Sequence, residues 1–382
     1  MACMHELRYF DNAATTVMSE SALATYQHVA STYIGNPSAL HQKGLEAKAY
    51  LQECRTRIAN LLQVQEGELT FTSGATEANA IVLQSLVWKQ QKGHVILSSI
   101  EHPSVSEFGR LLKHLGWKVS FLNAPGGFIR CEDLKKELTK QTRLVSLMLV
   151  NNVVGSIQDI ASLVQTVREF ETQTGGRHIH FHTDATQALG KVQFSLSELG
   201  VDSAAFSAHK FYGPRGVGML YNTNPALENL SRAGDQERGL RGGTENLAGI
   251  ASMTTALQDA LDLLAEHSSK VKEINAYLRE RLKAFDILSP KDDCSPYILN
   301  FATKVLPSEV FTRMLYDRGF CVSSGSACSN NAKQKGEGVL SSMQYHSELA
   351  KSSLRLSFSK DTTLSDAQAL ADAIISLYQE HA

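Results

Sequence analysis

The sequence predicts an α/β protein built on a mainly parallel sheet of seven strands, followed by a smaller α+β segment. Three observations carry this. From residue 68 to about 221, short β-rich runs alternate with amphipathic stretches, the pattern of a parallel sheet covered by helices. Residues 245–285 then lack β signals and predict two helices. Beyond Pro290, strands and helices resume at closer spacing.

In order, the predicted strands of the large sheet are 69–72, 94–98, 118–122, 143–150, 178–183, 202–207 and 217–221. Helices are predicted at 75–90, 103–115, 132–140 and 160–172, the last with Leu163, Val164, Val167 and Phe170 on one face. In the smaller segment, 297–302, 320–323 and 353–358 predict strands and 308–318 a helix. Ser365 and Gln368 stand at capping-box spacing and predict the start of a final helix with Leu370, Ala371, Ile374 and Tyr378 on one stripe. Residues 323–340, SSGSACSNNAKQKGEGVL, are small and polar and predict a long loop of the kind that carries function.

Composition narrows the function. The 382 residues are 43% hydrophobic and 20% charged, enough for a large core. Lys plus Arg number 37 against 39 Asp plus Glu, a net charge of −2, and no basic run offers a nucleic-acid site. The most apolar stretch, 144–150, falls short of the ~20 residues a membrane-spanning helix needs. MACMHELRYFDN has no apolar run of a targeting segment, so a cytoplasmic location is expected. The six cysteines, at 3, 54, 131, 294, 321 and 328, form no CxxC pair or Cys/His cluster, so no metal site is expected and reduced thiols are.

Three local features point to chemistry. TSGATEAN follows a predicted strand and opens a predicted helix, an arrangement that either holds an anion or simply turns the chain, and it lacks the glycine spacing of a dinucleotide site. HIHFHTDATQALGK places Asp184 at a strand end, as a ligand-binding carboxylate or as an N-cap with Gln187 at the capping-box position. AAFSAHKFYGPRGVG places Lys210 at another strand end, either a surface lysine or a partly desolvated amine suited to a Schiff base. An anion turn, a strand-end carboxylate and a strand-end lysine match what pyridoxal phosphate needs.

The chain resembles the cysteine desulfurases of iron–sulfur cluster assembly, within the class V aminotransferase-like enzymes. The likeness runs through YFDNAATT, GNPSALHQKG, FTSGATEAN, SSIEHPSV, NNVVGSIQDI, HTDATQALGK, SAHKFYGPRGVG, RGLRGGTEN, SSGSACS and LRLSFS, nearly the whole chain in family order. It implies the fold type I of pyridoxal 5'-phosphate enzymes, with a large domain over residues 16–262 and a small one over 1–15 and 263–382 that carries the 323–340 loop. It further implies conversion of L-cysteine to L-alanine, with the sulfur passing to an enzyme cysteine as a persulfide and on to an acceptor or scaffold protein.

By position, the resemblance makes Lys210 the Schiff-base lysine, Asp184 the partner of the pyridinium nitrogen, Gln187 and Asn152 neighbours of the ring's phenolic oxygen, and His102 the histidine on the ring face. Ala75, Thr76, Ser207 and His209 would hold the phosphate, with Thr244 reaching across from a second copy, which implies a homodimer. Arg355, which strand alternation alone would turn outward, and Asn36 would take the substrate carboxylate. Cys328 would be the nucleophile that takes the sulfur, whereas Cys321 is expected to be a strand-buried structural thiol. Departures from the family pattern are Val153 where Glu is usual, Gly242 where Ser is frequent, Ala80 where Asn is common, and the stretch NNAKQKGEG after Cys328. Selenocysteine lysis on the same site and a weakly active cofactor-binding sulfur-transfer partner are the alternatives. Transamination needs no thiol, and a nicotinamide enzyme would want the missing glycine fingerprint.

Overall fold

In the computed structural model, which describes residues 7–87, 89–228, 233–325 and 338–382, the chain enters on a two-residue strand, β1 (Arg8–Tyr9), and two helices, α1 (Glu20–Thr32) and α2 (Gln42–Leu62). Ser19 and His41 cap these helices, each side chain accepting a backbone N–H of the first turn. Neither helix shows in the apolar pattern. The buried face of α2 is built from Gly44, Ala47, Leu51, Cys54, Arg55, Ile58 and Ala59, so small residues and a charge blur its periodicity.

The large sheet contains β2 (Leu69–Thr72), β3 (His94–Ser98), β4 (Lys118–Leu122), β5 (Thr142–Ser146), β6 (His180–Asp184), β7 (Ser203–Ser207) and β8 (Gly218–Asn222), in the order β2-β8-β7-β6-β5-β3-β4. Strands β3 to β7 run parallel, and β8 is antiparallel to both β7 and β2. The predicted seven strands and mainly parallel direction are both present. Helices α3 (Ala75–Gln84), α4 (Pro103–His114), α5 (Cys131–Glu137) and α6 (Ile160–Thr174) form the connections. Strands β3, β6 and β7 are buried along their whole length, so none alternates between apolar and polar faces; β3 and β7 keep apolar centres, VIL and AAF, while β6, HFHTD, buries polar side chains that bond to one another and to neighbours.

The second sheet joins β9 (Asp286–Ile287), β10 (Ile298–Ala302), β12 (Ser323–Ser324) and β13 (Ser353–Ser357) in the antiparallel order β12-β13-β10-β9. Strand β11 (Phe320–Cys321) instead pairs with β1, so the start of the chain is tied to its last third. Helices Leu264–Arg281, Ser308–Asp317 and Leu364–His381 share an apolar core with this sheet around Phe10, Leu278, Phe301, Phe311, Leu356 and Ile374.

Several boundaries differ from expectation: α3 ends at Gln84 and not at 90, α5 ends at Glu137 and not at 140, and the strand read over 320–323 splits into β11 and β12, which pair in different sheets. Residues 147–150 lie beyond the last β3–β5 pair, Leu97 with Ser146, although Leu147 and Leu149 still donate to His182 and Asp184 carbonyls on the β6 side. The cap of the last helix is Thr363, two residues before Ser365; the helix starts at Leu364, and Thr363 and Asp366 close the capping box on each other's backbone N–H.

The open edge of the sheet is covered by charge. Arg55 of α2 donates to the Leu69 carbonyl of β2 at 2.8 Å and to Glu237 at 2.6 Å, while the other Glu237 oxygen accepts the Phe71 N–H at 2.9 Å. The outward backbone groups of β2 are thus satisfied by a buried ion pair, which removes them as a template for another strand. Glu237→Leu should leave Arg55 buried without its partner and lower the unfolding free energy by about 3–5 kcal/mol, measured from urea midpoints; a loss below about 1 kcal/mol would contradict this role.

Candidate active site

Parallel strands deliver the residues that follow them to a common edge. Since β8 reverses between β7 and β2, the turn after β2 arrives at that edge too. There a cleft of about 550 Å³ is lined by residues after β2, β3, β5, β6 and β7, by Asp11 to Thr15, and by Ser323 and Arg355 of the second sheet. The order of strands switches between β3 and β5, the place where open α/β sheets bind ligands.

The turn Ser73–Thr76 depends on two glycines in contact. Gly74 has φ 154°, and a Cβ on Gly218 would stand 2.6 Å from the Gly74 Cα. Ser207 Oγ lies 3.4 Å from where a Gly74 Cβ would be, so this turn and the end of β7 enclose a small polar niche at the N-terminus of α3.

Asp184 is buried at the end of β6 and is not a helix N-cap. Its Oδ1 accepts the Thr186 N–H at 3.0 Å, and its Oδ2 accepts Asn79 Nδ2 at 2.8 Å. Asn79 Nδ2 also donates to Ser104 Oγ at 2.9 Å, which leaves Asn79 Oδ1 to accept from His182 Nε2 at 2.9 Å. Burial pulls His182 down to about 3 and His180 to about 4, so both rings are neutral. Ser203 Oγ lies 2.7 Å from each, donating to His182 Nδ1 and accepting from His180 Nε2.

His102 caps α4 as an ordinary first-turn histidine would, and it also lines the cleft. Its Nδ1 accepts from the Ser104 N–H at 3.2 Å and from Ser104 Oγ at 2.9 Å, so Nε2 carries the proton. Burial, with Lys210 adding and Asp184 opposing, lowers its pKa and keeps it neutral. Asn79 therefore connects the Asp184 carboxylate with the His102 ring through Ser104.

Lys210 Nζ donates to the carbonyls of Ala13 and Ala14, both at 2.7 Å. Gln187 Nε2 meets the same Ala13 oxygen at 2.8 Å. His209 Nδ1 lies 3.1 Å from Thr15 Oγ1, and its pKa is pulled to about 4 by burial and then by Lys210, Lys191 and Arg215. Arg355 is buried rather than outward-facing. It bonds Asp11 at 2.7 Å and the Asn152 carbonyl at 2.9 Å, leaving a buried Nε with no partner.

The structure thus gathers Ala75, Thr76, His102, Asn152, Asp184, Gln187, Ser207, His209, Lys210 and Arg355 around one cleft. Asn36 and Thr244 do not line it. They face each other instead, at 3.4 Å. Cys328 lies outside the described residues, as does Cys3. Cys321 stands on β11 as expected but is only partly buried. Val153 faces an apolar cluster with Ile100, Met148 and Leu288 and is not among the cleft residues, so its substitution leaves the cleft's charge unchanged. No cluster of metal ligands occurs among the described residues.

Sequence reasoning missed Asp11, Asn79, Ser104, Lys191 and Glu101. Each stands in or beside a motif already singled out, but burial and partners, not residue type, mark them.

The class V aminotransferase family matches residues 8–370. The chain belongs to it. A NifS/IcsS protein homolog of Lactobacillus delbrueckii subsp. bulgaricus is 40% identical over 381 residues, covering 97% of either chain. Cysteine desulfurase IscS of Dictyoglomus turgidum is 34% identical over 374 residues, covering 96% of this chain and 93% of that one. Among solved structures, a NifS-like protein superimposes with a TM-score of 0.91 at 30% identity, over 98% of this chain and 100% of its own.

Glu101 supplies a pH test of the site's packing. It is buried, with one oxygen accepting from Ser98 and the Met148 N–H and the other without a partner, and burial pushes its pKa up to about 8. A raised folded pKa gives stability that is present below the ordinary glutamate pKa and lost as pH rises through about 8. Glu101→Gln should therefore be more stable relative to wild type at about pH 9 than at about pH 5, read from thermal midpoints; an equal difference at both would contradict the assignment.

Proposed function

We propose that the chain is a pyridoxal 5'-phosphate-dependent cysteine desulfurase that converts L-cysteine to L-alanine and moves the sulfur to an enzyme thiol. The observation that carries it is the convergence of Lys210, Asp184 and Arg355 in one cleft of a class V aminotransferase chain. An amine, a carboxylate and a guanidinium are the groups that a pyridine aldehyde and an amino-acid carboxylate require.

The residues present fit the cofactor. The cleft has room for a pyridine ring and an amino acid, Gly74 leaves open the niche that a Cβ would fill, and Thr186, elsewhere in the cleft lining, has its Oγ1 buried without a partner. Lys210 would hold it covalently and Asp184 would take its ring nitrogen, with His102 beside the ring and Gln187 and Asn152 near its oxygen. Ala75, Thr76, Ser207 and His209 would hold its phosphate, with Thr244 supplied by a second copy. When bound, the cofactor supplies an electron sink at the substrate's α-carbon.

This chain's residues do the rest. Arg355 binds and orients the substrate carboxylate, with Asn36 as a further contact. His102 moves a proton at Nε2, the atom its bonds to Ser104 leave free. Lys210 moves a proton at Nζ. Cys328 attacks the substrate sulfur, so that the carbon–sulfur bond breaks as a sulfur–sulfur bond forms and the carbon takes up a proton. Cysteine and enzyme thiol thus become alanine and enzyme persulfide, with no oxidant needed.

A homodimer is part of the same reading. Asn36 and Thr244 lie together outside the cleft, and the segment that carries Asn36 exposes Ile34 and Leu40 to 75% and 93%. An acceptor or scaffold protein would collect the sulfur. None of the described helices is long and apolar enough to cross a membrane, in keeping with a cytoplasmic location.

The test is alanine and sulfide production from L-cysteine with dithiothreitol, run beside selenocysteine. Cys328→Ser should keep the cofactor's colour and lose sulfide release; full activity would remove it as nucleophile. Wild type that releases selenide but no sulfide would favour selenocysteine lysis. Arg355→Ala should raise KM for cysteine about 10- to 100-fold with a smaller change in kcat, and an unchanged KM would contradict the carboxylate role.

A further inference from the structure

Lys191 is 2% exposed, yet no carboxylate among the described residues pairs with it. A buried ammonium without a counter-charge is strongly disfavoured, so the position asks for a reason. Its Nζ donates to Gln187 Oε1 at 3.1 Å, four residues back in the turn that follows β6, and lies 6.0 Å from the centre of the Tyr297 ring. The preceding Gly190, at φ 71°, is pressed so closely against Ala260 and Phe211 that a Cβ would come within 2.9 and 3.0 Å of theirs. The backbone that carries Lys191 is therefore anchored against the core.

We infer that Lys191 is a positioning residue of the cleft: it fixes the rotation of the Gln187 amide so that the nitrogen, not the oxygen, faces the Ala13 carbonyl, which Lys210 also meets. An amide carries a donor at one end and an acceptor at the other, and the two ends have nearly the same shape. An ammonium only donates, so it selects Oε1. The Ala13 carbonyl only accepts, so it selects Nε2, and the two neighbours agree. One hydrogen of Nε2 is used by Ala13, and the second remains for an oxygen acceptor in the cleft. Without Lys191 the amide could turn its oxygen to that acceptor and repel it.

The lysine is also set to release its proton near neutrality. Burial, with the positive charges of Lys210 and Arg355 adding, pulls its pKa to about 7. Lys191 in turn helps to lower His209. Once neutral, the amine can accept as well as donate, and the selection of Oε1 weakens.

This assignment rests on the proposed function, and its test reads colour rather than turnover. The pH-dependent absorbance of the pyridoxal phosphate-loaded protein is titrated for wild type, Lys191→Met, Gln187→Leu and the double variant. Lys191→Met should shift the midpoint by about one unit, a tenfold change in proton affinity, in the same direction as Gln187→Leu. In the Gln187→Leu background it should add nothing. Lys191→Arg, which keeps the charge and the donors, should stay at the wild-type midpoint, and it decides the matter if Lys191→Met does not fold: a shift matching that of Gln187→Leu would overturn the assignment. So would a Lys191→Met midpoint that is unchanged, or that shifts equally with and without Gln187. A wild type that takes up no pyridoxal phosphate overturns the proposed function and this assignment together.

Discussion

The parallel run of β3, β5, β6 and β7 is the constraint on which the cleft depends. Because these strands share one direction, the residues after them arrive at one edge, and His102, Asn152, Asp184 and Lys210 meet although they are spread over more than a hundred positions. Parallel pairing requires long crossovers, and the helices that provide them bury both faces of the sheet. That burial sets the electrostatics. The imidazoles of β6, His180 and His182, are held neutral, and Asp184 ends the same strand and a chain of fixed donors and acceptors from His180 through Asn79.

A second constraint is the segment Asp11 to Thr16, which stitches the two sheets together. Asp11 holds Arg355, the Ala13 carbonyl receives both Lys210 and Gln187, and Thr15 and Thr16 bond to His209. The cleft is thus closed by backbone and short side chains that leave space inside. Around it stand Lys210, Arg215 and Arg355 against Asp11 and Asp184, a local excess of positive charge in a chain whose net charge is only −2. One phosphate and one carboxylate suit that excess, and nothing larger is needed.

Much of this was legible in the sequence, for physical reasons that differ by element. Strands β3 and β7 showed because their buried centres, VIL and AAF, are short apolar runs, whereas β6, HFHTD, buries polar residues whose partners only the fold reveals. Helix α2 did not, because Gly44, Ala47 and Arg55 stand on its inner face and only the fold reveals the Glu237 partner that makes Arg55 tolerable there. Lys210 and Asp184 stood out as charges at strand ends. Arg355 looked like an outward residue on alternation alone, since its partners, Asp11 and Asn152, are far away in the chain. Asn79 and Lys191 matter through what they touch, and the identity of an asparagine or lysine says nothing of that. Lys191 lies inside HTDATQALGK, a motif whose Asp184 and Gln187 drew notice first.

Two lysines lie within reach of the Ala13 and Gln187 pair, and they differ in what surrounds them. Lys210 lines the cleft directly, whereas Lys191 is sealed behind Gln187. Borohydride reduction of the pyridoxal phosphate-loaded protein, followed by peptide mass spectrometry, decides between them and tests the cleft as a whole. The pyridoxyl group should be found on Lys210. Its appearance on Lys191, or on no lysine at all in a protein that has been exposed to the cofactor, would contradict the account.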